Sequence, residues 1–131
     1  MLRECFRILK VGGTIRISTP DLAFLIALYS DDKTELQCQY IRWSTNKFIG
    51  YAPKQEDTYV INNFVRDWGH SFIYDEKRLR FSLEDAGFAN ITRCDLSKSE
   101  HAALTDMENE QRMPDGFLRL ESLILEGTKV P

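Results

Sequence analysis

Residues 2–22 read Leu-Arg-Glu-Cys-Phe-Arg-Ile-Leu-Lys-Val-Gly-Gly-Thr-Ile-Arg-Ile-Ser-Thr-Pro-Asp-Leu. Leu2, Cys5, Phe6 and Leu9 recur at helical spacing and Ile8 widens the stripe, so the segment opens as an amphipathic helix. Arg3, Arg7 and Lys10 fall on its other face, where water and the helix C-terminal dipole suit them. Gly12-Gly13 ends that helix, because glycine accepts the left-handed backbone a helix C-terminus favours. Thr14-Ile15-Arg16-Ile17-Ser18 alternates apolar and polar and predicts a short strand. Thr19 is then expected as an N-cap and Pro20 as the first helical residue. Leu22, Leu25, Ile26 and Tyr29 form the expected buried stripe of the helix that follows. The glycine pair precedes the strand and so lies at its N-terminal edge. Ligands in open α/β sheets gather beyond the C-terminal edge, so the pair is a helix terminator and not a cofactor loop.

Beyond this stretch, residues 31–50 predict a third helix faced by Leu36, Tyr40 and Trp43, and residues 58–67 a short fourth. Trp68-Gly69-His70 reads as a turn. Asp75 is placed to cap a helix running through Ala86, lined by Leu79, Leu83 and Ala86 and closed by Gly87. Strands are expected over Ile91 to Leu96 and from about Leu118 to Thr128. Between them, residues 97–116 carry Glu100, Asp106, Glu108, Glu110 and Asp115 against Lys98 and Arg112, the composition of a mobile, solvated loop. The order predicts a single α/β domain over residues 1–131 with one sheet of about three strands and several helices.

The 131 residues suffice for one domain with its own core, and 43% hydrophobic with 28% charged residues is a globular balance. The formal net charge of −3 argues against nucleic-acid binding by general phosphate neutralisation. No apolar run reaches the roughly 20 residues of a membrane span, and MLRECFRILK mixes acid and base, unlike a signal peptide. Cys5, Cys38 and Cys94 are odd in number and widely spaced, without a CxxC. That pattern predicts reduced, mostly buried thiols, no zinc site and a cytoplasmic setting.

The helix and strand of residues 2–22 resemble the E-x-x-R-V-L-K-P-G-G unit of class I S-adenosylmethionine-dependent methyltransferases, closest to the type 11 subgroup, with Val11 where that family has proline. Trp68-Gly69-His70-Ser71-Phe72-Ile73-Tyr74-Asp75, Glu84-Asp85-Ala86-Gly87-Phe88 and Ser122-Leu123-Ile124-Leu125-Glu126-Gly127-Thr128-Lys129 resemble later landmarks of the subgroup, in order. The resemblance covers nearly the whole chain but only the C-terminal half of such an enzyme. It implies a partial Rossmann-like sheet in which strand 14–18 matches the family's fifth strand. The strands near 91–96 and 118–128 match the sixth and seventh, the last lying antiparallel between the other two. It implies S-adenosylmethionine as cofactor, held by a Gly-rich first half. No Gly-x-Gly occurs in this sequence, so no cofactor-binding residue is assigned. Met1-Leu2 entering directly in a family helix hints at truncation.

Methyl transfer requires an acceptor held in line in a dry site, and a hydroxyl or ammonium acceptor requires a base. His70 is the candidate catalytic base, since imidazole titrates near neutrality; otherwise it orders the loop before Asp75. Asp21, Trp68 and Tyr74 are the candidate substrate-binding residues. Asp21 alternatively favours the positive end of the helix it begins, Asp75 serves as a cap, and Trp43, Trp68, Phe72 and Tyr74 alternatively pack the core. His101 is expected in water, and Cys38 has no base beside it. The expected function is methyl transfer to a small-molecule or saccharide acceptor, completed by a missing N-terminal half. The alternative is a non-catalytic remnant or interaction module of the same fold. Strand 14–18 would have a bare edge, with Arg16 as a modest gatekeeper, through which two chains could form a homodimer.

Overall fold

The computed structural model describes all 131 residues. In chain order they form α1 (Leu2–Ile8), β1 (Thr14–Pro20), α2 (Leu22–Tyr29), α3 (Glu35–Phe48), α4 (Asp57–Arg66), α5 (Glu76–Asp85), β2 (Ala89–Arg93), α6 (Phe117–Glu121) and β3 (Ser122–Thr128). The chain is thus mixed α/β, with six helices and one three-stranded sheet of order β1-β3-β2. The last strand occupies the middle and runs antiparallel to both neighbours.

Several boundaries differ from the sequence reading. α1 stops at Ile8, before the glycines, with Leu9 already extended. Its final carbonyls are held by Lys129, whose Nζ donates to Phe6 O at 2.7 Å and Leu9 O at 2.8 Å. Gly12, at φ +82°, instead shapes the turn into β1 and donates its N–H to Lys129 O. β1 runs on through Thr19 and Pro20, which face Leu123 and Ser122, so neither begins α2. The cap is Asp21, whose carboxylate accepts from Ala23 N–H. α2 buries Phe24, Leu25 and Leu28, while Ile26 and Tyr29 are exposed. The helix is apolar all round, so periodicity could not choose its inner face. Residues 118–121 are helical because Pro114-Asp115-Gly116 turns the chain into α6. β2 is shorter than expected and carries a bulge with Asn90 at φ +51°. The thiols are free as expected but partly exposed, not mostly buried.

Alternation divides the sheet's two faces. On one, Leu123 and Leu125 pack with Leu79, Leu83, Ala86 and Phe88 under α1 and α5. α5 is capped by Asp75, which accepts from Arg78 N–H. Gly87 follows at φ +104°, where a Cβ would meet the Phe6 ring at 3.0 Å. On the other face, Arg16 lies opposite Glu126 and is 5% exposed. It donates to Glu126 at 2.6 Å, to Glu108 at 2.8 Å and to the carbonyls of Asp95 and Lys98. Arg16 is therefore not an edge gatekeeper; it clamps residues 95–108 onto the sheet. The acidic segment is largely exposed, as its composition predicts, but it is tied to the sheet through Glu108 and forms two 3-10 turns. His101, though exposed, is within hydrogen-bond distance of Thr14 Oγ1 at 3.1 Å. The main core lies in the helical lobe, where Phe24, Leu28, Tyr40, Ile41, Val60 and Phe64 pack α2, α3 and α4 together.

Candidate functional site

The chain's principal aromatic cleft, about 380 Å³, opens at the C-terminal end of β1 between the sheet and the helical lobe. Its floor is the end of β1 and the α6–β3 junction, which contribute Ser18, Pro20, Glu121 and Ser122. α3 contributes Trp43, Lys47 and Phe48, and the excursion adds Arg112 and Met113 at the rim. Phe64 and the turn after α4, with Trp68 and His70, close the far side.

The wall is a run of edge-to-face rings. Trp43 meets Phe48 at 5.3 Å, Phe48 meets Trp68 at 5.2 Å, and Trp68 meets Phe64 at 4.5 Å. Each such contact is worth about 0.5–1.5 kcal/mol beyond area burial, which keeps the wall in place without a ligand. α3 can present these rings because a complete capping box at Thr34 and Gln37 fixes where it starts. The His70 ring lies nearly parallel to Phe64, 17° between planes.

Beneath the wall sits a carboxylate that sequence reasoning missed. Glu121 is 7% exposed, accepts a hydrogen bond from the Tyr40 hydroxyl and lies 3.7 Å from the Arg112 guanidinium. Burial pushes its pKa above the ordinary 4.5, against the opposing pull of Tyr40 and Arg112. Burial and the adjacent carboxylate likewise push the Tyr40 phenol up, so it remains a donor. Glu121 was read as one residue of a strand. The signal available was an acid inside an apolar run, Leu118 to Leu125, just after a Pro-Asp-Gly stop.

Of the four residues singled out from sequence, the fold brings His70 and Trp68 into this cleft. Asp21 and Tyr74 lie elsewhere, joined to each other where Leu22 N–H donates to Tyr74 O at 2.8 Å. Asp21 is buried, occupied by its cap and by Arg93 at 3.4 Å, and Arg93 in turn holds Glu76 at 2.7 Å. Tyr74 packs against the core under α5. Asp75 is a cap, and Phe72 is exposed against Tyr74.

The residues present do not fit S-adenosylmethionine. At the C-terminal edge β1 runs into Pro20 and the engaged Asp21, and β2 into Cys94 and Asp95, with no glycine turn at either. Of the four glycines with left-handed backbone, Gly12 precedes β1, Gly69 sits in the turn between Trp68 and His70, Gly87 lies against Phe6 and Gly116 opens α6, so none follows a strand. No three His, Cys, Asp or Glu side chains are grouped to hold a metal. No helix is long and apolar enough to cross a membrane. No family model matches the chain, and neither a curated protein nor a solved structure does.

Proposed function

We propose that these residues are the acceptor-side half of a cytoplasmic S-adenosylmethionine-dependent methyltransferase, with the aromatic cleft as the acceptor site. The observation that carries this reading is the strand order: the last strand runs antiparallel between two earlier strands, as the resemblance of residues 2–22 and 122–129 implies. The cleft's place at the C-terminal end of β1, where ligands of α/β sheets gather, supports it further. In this reading the ring wall excludes water and positions a small-molecule or saccharide acceptor. His70 takes the acceptor's proton; its imidazole lies against Phe64 in the cleft, free of the Asp75 cap. Cofactor binding belongs to a segment outside these residues, which joins along the bare edge of β1.

The test begins with the coding sequence upstream of Met1. An in-frame strand followed by a glycine-rich turn is expected. The longer chain should bind S-adenosylhomocysteine calorimetrically with a micromolar dissociation constant, about −8 kcal/mol, while residues 1–131 alone give no heat. Saturable heat from residues 1–131 alone would overturn the division of labour. An immediate upstream stop, with no heat, would favour the non-catalytic interaction module.

A further inference from the structure

Within that acceptor reading, we infer that the cleft takes a flat aromatic ligand carrying a single carboxylate, its ring on the Trp43–Phe48–Trp68 wall and its carboxylate on Lys47. Lys47 Nζ stands 5.2 Å from the Trp43 ring centre and 5.4 Å from that of Phe48. It is the one cleft cation without a carboxylate partner, because Arg112 is matched by Glu121. The charge left over is therefore one positive, on a protein whose overall charge is −3.

That placement decides between ligand classes. A ring of π faces attracts cations, but here the chain's own ammonium already holds that position and would repel a cationic ligand. A neutral ligand would cover Lys47 without pairing it, at a desolvation cost. A monoanion pairs it and forms a charge-assisted hydrogen bond at the mouth. An aromatic ring follows from the wall, whose neighbouring rings stand nearly perpendicular, 87° and 89° apart, and so present alternating faces and edges against which one more flat ring continues the edge-to-face packing.

The chain has two tryptophans, Trp43 and Trp68, and both line the cleft. Their indole N–H resonances therefore report occupancy even by a weak probe, with no cofactor present. Benzoate should shift both resonances saturably in the 131-residue chain, and Lys47→Gln should weaken it by about tenfold, 1.4 kcal/mol. Lys47 is exposed in the last turn of α3, so the variant should retain the fold, checked by the unchanged remainder of the spectrum. Benzylammonium binding as well as benzoate would overturn the charge assignment. Cyclohexanecarboxylate binding equally well would overturn the aromatic one, and no saturable shift with benzoate would overturn the inference altogether. None of these outcomes depends on S-adenosylhomocysteine binding, so this inference and the methyltransferase reading fail separately.

Discussion

Glu121 and Arg16 show what a single buried charge does in this chain. Glu121 has a folded pKa above its unfolded value, so its neutral form is favoured by folding. Its contribution to stability is fully present below about pH 4.5 and is lost as pH rises through the folded value. Glu121→Gln keeps an acceptor for Tyr40 without the charge, so denaturant midpoints of the variant should fall less than those of the parent between about pH 5 and pH 8. Equal slopes would show that the carboxylate is not the titrating group. Glu108 has the opposite sign: the Arg16 guanidinium holds its carboxyl below the ordinary range, so its contribution is lost as pH falls through the folded value. Arg16→Met strands two carboxylates, Glu108 and Glu126, each less than a tenth exposed. The expected loss is about 3–5 kcal/mol, the cost of breaking a buried pair from one side. Hydrogen exchange should locate the release in residues 95–108, and protection unchanged there would remove the clamp from the account.

Among the elements, α1 depends on groups far along the chain. Its carbonyls are capped by Lys129, and Phe6 meets Phe88 edge-to-face at 5.1 Å over Gly87. Gly87→Ala combines a left-handed backbone with a Cβ 3.0 Å from Phe6. It should cost about 1–3 kcal/mol, read as a lowered denaturant midpoint, with Phe6→Leu in the same chain recovering the steric part. β1 presents a different liability, since it is a sheet edge. Asp21 N–H bonds to Glu121 O, and that register turns the backbone of Ile15, Ile17 and Thr19 toward β3 and of Arg16 and Ser18 outward. Without another segment to cover it, this edge is a template for a second copy. Residues 1–131 alone should be dimeric by light scattering, and Ser18→Pro, which removes an outward N–H but no bond to β3, should be monomeric. A monomeric parent chain would refute edge pairing.

For the molecule as a whole, the cleft exists only because three separate regions meet. The sheet supplies the floor, α3 and the turn after α4 the ring wall, and the excursion the rim. The Arg16 clamp also fixes residues 95–108, through which the chain passes before it reaches Arg112 and Met113 at that rim. Loosening the clamp is therefore expected to alter the cleft from further along the same face of the sheet, the one that carries Arg16, Ser18 and Pro20, which Arg16→Met and benzoate titration together would measure: weaker binding without loss of the ring signals is the expected result.

Local chemistry determined the elements. Helical spacing in residues 2–9, the Asp75 cap with Gly87 and the alternation of residues 14–18 each act over a few residues, and all reappear in the fold. The α/β class and the number of strands were legible for that reason. So was the place of His70 and Trp68 in one turn. Where local signals were degenerate, the reading failed: α2 is apolar all round, and Leu118 to Glu121 suits a strand as well as a helix. Only tertiary structure decided the partners of charged groups. Arg16 and Glu108 are 92 residues apart, and Tyr40 and Glu121 are 81 apart. No periodicity spans such distances, and burial, which turns an ordinary carboxyl into a perturbed one, exists only once the lobe and the sheet have closed on each other.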